Sequence, residues 1–140
     1  CMVTDLDKNP ETAAARTDAG LPVVAHAHGD NVPAVREWLS RFDSDHTMVT
    51  TQAAPVGAVQ NVGGFTDGDR AAFLADHVDA GRLTFPGWAF DDPAVGPMKA
   101  RKLKWAAMVL SWLEQRRGQQ FDVLDDRRTR VRRAFDTHVR

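Results

Sequence analysis

Short apolar runs rich in β-branched residues alternate with stretches of helical period, and this alternation constrains the fold more than any other feature of the chain. A parallel strand pair needs a long crossover, a helix supplies one, and the pattern is that of βα units around a largely parallel sheet. Met2-Val3 starts the series and runs into the turn Thr4-Asp5-Leu6-Asp7, followed by a helix from Glu11 to Ala19 that Gly20 can terminate. Leu21 to Ala25 predicts the next strand, ending in His26-Ala27-His28-Gly29-Asp30-Asn31. Asp30 or Asn31 can then cap a helix with Pro33 in its first turn and Val35, Trp38, Leu39 and Phe42 on its buried face. Thr47 to Thr50 and Ala58 to Val62 read as further short strands, leading into Thr51-Gln52 and Gly63-Gly64. Thr66 to Asp69 has capping-box spacing, weakened by Asp in place of Glu or Gln, and opens a helix that runs to Gly81. Leu83 to Phe90 predicts a last strand, and Met98 to Arg117 a long helix ended by Gly118.

The 140 residues fit one α/β domain over residues 1–117 and a basic tail over 118–140, read as a loosely docked helix. The net charge of -1 conceals a split, since residues 1–97 hold 6 basic and 14 acidic side chains while residues 98–140 hold 12 and 5. A uniformly basic nucleic-acid binder is excluded, though a basic C-terminal element touching phosphates is not. No apolar run approaches the ~20 residues that span a bilayer, so no membrane partner is expected. The lone cysteine, Cys1, excludes an intrachain disulfide framework and a zinc site built on several thiolates. With no secretory signal at the start, a cytoplasmic setting is expected. Cys1 precedes Met2 and a strand follows at once, so the chain is expected to begin partway into a larger fold.

Three polar clusters follow three predicted strands: Asp5/Asp7, His26/His28/Asp30 and Asp67/Asp69. In an open parallel sheet the loops at the carboxyl ends of the strands line one crevice, where ligands bind. Carboxylates raise one another's pKa when crowded, so such a crevice implies a hard divalent cation, Mg²⁺, with a phosphate as companion. Asp5 and Asp7 suit this if their segment is extended, because alternate residues then point to one side. Each cluster also has a simpler reading: Asp-x-Asp serves in turns, Asp67 and Asp69 favour a helix N-terminus, and His28 alone is a satisfied polar residue at a strand end. Gly63-Gly64 offers backbone N–H groups to an anion or substrate, and Lys99 and Lys102, three apart on one helical face, can reach one polyphosphate. Trp105 and Trp112 read as core or interface.

His26-Ala27-His28-Gly29-Asp30 is also similar to the first metal motif of the metallo-β-lactamase superfamily, which makes a zinc hydrolase using His26, His28 and Asp30 an alternative. The match stops at Asn31, where that family has a histidine, and His46, His77 and His138 fall in a loop, a helix and the tail.

Taken in order, VTDLD (3–7), HAHGDN (26–31), TTQ (50–52), NVGGFTDGDRA (61–71) and KARKLKWA (99–106) resemble the archaeal 6-hydroxymethyl-7,8-dihydropterin pyrophosphokinase family, related in fold to thiamine pyrophosphokinases. The resemblance covers roughly residues 2–115 and implies a Rossmann-like sheet with helices on its faces. It implies transfer of diphosphate from ATP to the pterin hydroxyl with release of AMP, Mg²⁺ as cofactor, and small molecules as partners, with a homodimer as a candidate assembly. By motif, Asp5 and Asp7 resemble the Mg²⁺-binding acid pair, and Asp30 the acid of the second motif. Asp67 after Gly63-Gly64 resembles the acid that helps hold the substrate pocket. Lys99 and Lys102 would steady the polyphosphate, and Asp30 or His28 would accept the hydroxyl proton. Thr51, Gln52 and Asn61 carry groups suited to reading a pterin edge. A Mg-nucleotide-binding module without catalysis is the other alternative.

Overall fold

The computed structural model describes residues 1–138, His138 by its backbone alone; residues 139 and 140, the end of the predicted tail, lie outside the described residues. The chain divides into two compact units, Cys1–Gly63 and Gly64–Arg140. The first carries the expected α/β fold. Strands β1 (Met2–Thr4), β2 (Val23–Ala27) and β3 (Thr47–Thr51) form a parallel sheet in the order β1-β2-β3. Helices α1 (Pro10–Asp18) and α2 (Val32–Leu39) make the crossovers.

Register explains which side chains meet. Met2 pairs with Val23 and Val23 with Thr47, so Met2, Val23 and Ala25 share a face. Those side chains join Leu6, Ala13, Val35 and Phe42 in one apolar cluster, flanked by Trp38 and Leu39. Burying each larger member contributes roughly 1.5–3 kcal/mol. Phe42 reaches this cluster from beyond the end of α2, which closes at Leu39 rather than continuing to Phe42. The opposite face carries Val24, His26 and Thr50.

The predicted strand Ala58–Val62 does not form. Val56 and Val59 exchange backbone hydrogen bonds across Gly57, whose φ is 57°, and only Gln60 pairs with the sheet. Its N–H donates to the Val49 carbonyl at 3.0 Å, and its carbonyl accepts from Thr51 at 2.8 Å. A tight turn so close to β3 leaves one residue, rather than a run, in pairing position.

In the second unit, α3 (Asp67–His77), α4 (Pro97–Arg117) and α5 (Arg128–His138) pack around Phe73, Leu110, Leu113, Phe121 and Leu124. The Trp112 ring stacks on Phe73 with centroids 5.7 Å apart. Helix α3 ends at His77, and its stop is Asp79 at φ 58° rather than Gly81. Leu83–Phe90 is a turn-rich loop and not a strand. Pro86 has no N–H to donate and Gly87 sits at φ 74°, while Phe85, Trp88 and Phe90 fasten the loop by ring contacts, Phe85 lying 5.0 Å from Phe121.

As far as Val131, the segment after Gly118 is tied to α4. Buried Glu114 accepts from the Phe121 N–H at 2.7 Å and pairs with Arg128 at 3.0 Å, while Phe121, Leu124 and Val131 are buried. Among the described residues no helix is long and apolar enough to cross a membrane.

Candidate functional site

The carboxyl ends of β1 and β2 bring together the acids and imidazole that the sequence singles out. Leu6 stands between Asp5 and Asp7 at φ 61°, a region that disfavours a side-chain-bearing residue. Its side chain is 3% exposed within the apolar cluster, and its N–H donates to Thr4 Oγ1 at 3.1 Å. The core therefore holds the turn, and the acids flank it. The segment is not extended, so the two carboxylates do not meet by strand alternation; Asp7 N–H instead donates to Asp5 Oδ1 at 3.2 Å.

This arrangement separates the two acids electrostatically. Partial burial pushes the Asp5 carboxyl up, but hydrogen bonds from the Asp7 side chain and N–H, with the nearby His28, hold it below its usual value. Sharing a proton with Asp5 raises Asp7, and the loss of hydration adds to the rise. Of the two, Asp5 keeps its charge to the lower pH, and both carboxylates are oxygen donors of the hard kind that Mg²⁺ prefers.

His28 links the two loops. Its Nε2 lies 3.5 Å from Asp5 Oδ2 and its Nδ1 lies 2.8 Å from Asp30 Oδ1. Asp30 is 89% exposed and His28 about a quarter exposed, so both face solvent at the strand ends. Asn31 does not cap α2 with its side chain. Its Nδ2 donates to the Asp5 carbonyl at 2.8 Å and the His26 carbonyl at 2.7 Å, and its Oδ1 accepts from the His28 N–H at 2.8 Å. This junction beside the acids is not evident from the sequence, where Asn31 reads as a helix cap. The signal was present at the mismatch with the zinc motif, where an amide replaces a histidine.

His26 belongs to the sheet. It is 1% exposed, and its Nδ1 shares a hydrogen bond of 3.1 Å with Thr50 Oγ1 on the neighbouring strand. The zinc-hydrolase alternative, which needs His26 as a ligand beside His28 and Asp30, has no support. Among the described residues no three His, Cys, Asp or Glu side chains are gathered tightly enough to hold a metal ion by themselves. Two carboxylates completed by phosphate oxygens and water remain a fitting set for Mg²⁺, which is seldom caged by protein alone.

Thr51 ends β3, its Oγ1 accepting from Ala53 N–H at 3.1 Å, with exposed Gln52 next to it. Both groups of the Asn61 amide are engaged, Nδ2 donating to the Ala53 carbonyl at 2.9 Å and Oδ1 accepting from Gly63 N–H at 3.1 Å.

Gly64, Asp67, Lys99 and Lys102 lie in the second unit. Asp67 is exposed at the start of α3. Asp69 is fully buried and structural: it accepts from the N–H groups of Phe65 at 2.5 Å and Thr66 at 2.6 Å and from the Thr66 hydroxyl. The capping box is therefore complete despite its short acid. Gly64, at φ 86°, lets the chain pass against α3, since a Cβ there would stand 2.6 Å from the Arg70 Cα. Buried Arg70 donates from Nη2 to the Gly64 carbonyl at 2.9 Å. Burial pushes its guanidinium down while Asp69 and Asp67 oppose the shift. Lys99 and Lys102 are exposed in the first turns of α4, where no acid accompanies them.

No family model matches the chain. It is 40% identical over 128 residues to a protein of Methanothermobacter thermautotrophicus named 6-hydroxymethyl-7,8-dihydropterin pyrophosphokinase, covering 81% of this chain and 54% of that protein. Proteins of the same name from Pyrococcus furiosus and Methanocaldococcus jannaschii are 36% and 30% identical, over 81% and 82% of this chain and 53% and 55% of their own lengths. The resemblance read from the motifs is thus borne out by three archaeal homologues, and neither alternative reading gains support from them. The chain spans about half the length of these curated relatives.

Proposed function

We propose that the chain takes part in Mg²⁺-dependent transfer of the terminal diphosphate of ATP to 6-hydroxymethyl-7,8-dihydropterin, releasing AMP, in pterin cofactor biosynthesis. The observation that carries this reading is the Asp5-Leu6-Asp7 turn at the carboxyl end of β1, in a chain similar to three proteins bearing that activity in their name.

In this reading Asp5 and Asp7 hold the metal, with Asp30 as a further oxygen donor. Bound there, Mg²⁺ supplies charge neutralisation to the transferring diphosphate. The pterin hydroxyl oxygen attacks the β-phosphorus, the bond between that phosphorus and the α-phosphate oxygen breaks, and AMP leaves with the oxygen. The hydroxyl proton passes to Asp30 or His28, which lie 2.8 Å apart and face solvent. Lys99 and Lys102 steady the polyphosphate, their charges adding to the positive end of α4. Asp67 and the Gly63-Gly64 turn support the pterin pocket. Thr51 and Gln52 offer hydrogen-bonding groups to the pterin edge, and Asn61 orders the loop that leads away from β3.

The test is AMP formation with ATP, Mg²⁺ and a panel of acceptors. AMP release that needs the pterin and the metal together, and that thiamine does not replace, is the expected result. Absence of pterin-dependent AMP from this chain would remove the assignment for the chain as it stands. In an active chain, undiminished turnover by Asp7→Asn would remove the metal assignment.

A further inference from the structure

The second unit contains a cavity of about 530 Å³ between α4 and α5 that none of the proposed reaction chemistry uses. Its size falls within the range of small-molecule sites, about 300–1,000 Å³. The walls are apolar, from Leu103, Trp105 and Met108 on α4 and Val131 on α5. The rim is basic. Arg101, Lys104 and Arg130 stand exposed there and make no ion pair among the described residues. The lining carboxylate, Asp91, is already paired with Arg127 at 2.8 Å, and Arg127 lies over the Phe90 ring at 5.0 Å. That pair closes one wall; of the three other cations Arg130 feels the charge of Asp126, which is itself paired with Arg127 at 3.0 Å, and Arg101 and Lys104 make no ion pair among the described residues.

The helical repeat separates this rim from the lysines of the proposed reaction. At about 100° per residue, Lys99 and Lys102 lie on one side of α4, while Arg101, Lys104 and Met108 lie on the opposite side. The basic residues at the start of α4 therefore form two groups rather than one.

We infer that the α4–α5 cavity is a second binding site, for a small organic anion with a ring-sized apolar body and one phosphate group. The apolar walls take the ring, and Arg101, Lys104 and Arg130 take the phosphate. A bare inorganic anion would leave the walls unused, and a neutral ring would leave the cations unpaired. The inference is independent of the pyrophosphokinase reading.

Calorimetric titration of the full chain with 1-naphthyl phosphate tests it, with 1-naphthol and inorganic phosphate as separate arms. Saturable binding of one molecule per chain is expected, with each of the two fragments at least about ten-fold weaker. Lys104→Glu and Arg130→Glu, both at exposed positions that need not disturb folding, are each expected to weaken binding about ten-fold. Ala134→Phe, which fills the cavity from α5, is expected to abolish it. Arg132→Glu, an exposed α5 position that does not line the cavity, is expected to leave it unchanged. No binding of 1-naphthyl phosphate, equal binding of inorganic phosphate, or equal effects of Arg132→Glu and Lys104→Glu would each overturn the inference. Because the readout is binding without ATP or pterin, it stands or fails apart from the reaction proposed above.

Discussion

Asn31 and Asp5 are joined across 26 residues by a hydrogen bond of 2.8 Å, donated from the Asn31 amide to the Asp5 carbonyl. The same amide group holds the His26 carbonyl at 2.7 Å, so one side chain ties the acid loop after β1 to the histidine loop after β2. Asn31→Ala leaves two carbonyl oxygens and the His28 N–H without this partner and is expected to cost about 2 kcal/mol. Asn31→Asp is expected to cost at least as much, because a carboxylate replaces the donor and faces both carbonyls. Urea unfolding measures both, and a midpoint unchanged in Asn31→Asp would show that the junction does not hold the loops.

The Asp5 and Asp7 pair predicts opposing legs in the dependence of stability on pH. Asp5 is lowered by folding, so its contribution is complete above the unfolded carboxylate value and is lost as pH falls through the lower folded value. Asp7 is raised, so its contribution is complete below the unfolded value and is lost as pH rises through the higher folded value. Asp7→Asn removes the second leg. Unfolding midpoints from about pH 3 to 7 should therefore diverge in favour of the variant as pH rises, in metal-free buffer. Parallel curves would contradict the assignment.

Glu114 is the anchor of the C-terminal segment. Glu114→Ala strips Arg128 and the Phe121 N–H of their shared acceptor, at an expected cost of about 2–4 kcal/mol, discounted for the partial exposure of Arg128. Glu114→Gln retains one acceptor oxygen and should lose less. Limited proteolysis beyond Gly118, followed together with thermal unfolding, would separate local release of α5 from global loss.

Two glycines with positive φ should respond differently to alanine. At Gly64, φ 86°, a Cβ meets the backbone of Arg70 at 2.6 Å, so Gly64→Ala adds a clash to conformational strain and should cost at least about 3 kcal/mol. At Gly29, φ 101°, nothing lies within 4 Å, and Gly29→Ala should cost about 1 kcal/mol from strain alone. Comparable losses at the two positions would contradict the close approach at Gly64.

The strands of the first unit were legible because Val23 to Ala25 and Thr47 to Thr50 are runs rich in β-branched residues. Leu83 to Phe90 has a similar apolar content, but its aromatics serve as anchors for an irregular loop, a use that periodicity does not distinguish from a strand. The Asp5, Asp7, His28 and Asp30 cluster was legible as residue types at strand ends. The role of Asn31 was not, since a cap and a bond to another loop look alike in one dimension. Asp69 shows the converse: an acid near a candidate site whose oxygens are occupied by its own helix start.

Leu6 gives the chain a particular vulnerability. Because the turn between the two acids is held by an apolar side chain seated among Ala13, Val23 and Phe42, alterations in that cluster reach the acids without changing any charge. A library of variants selected only for folding would also sort for the geometry of the acid pair. Conversely, a search for altered chemistry confined to polar positions would overlook the residues that set it.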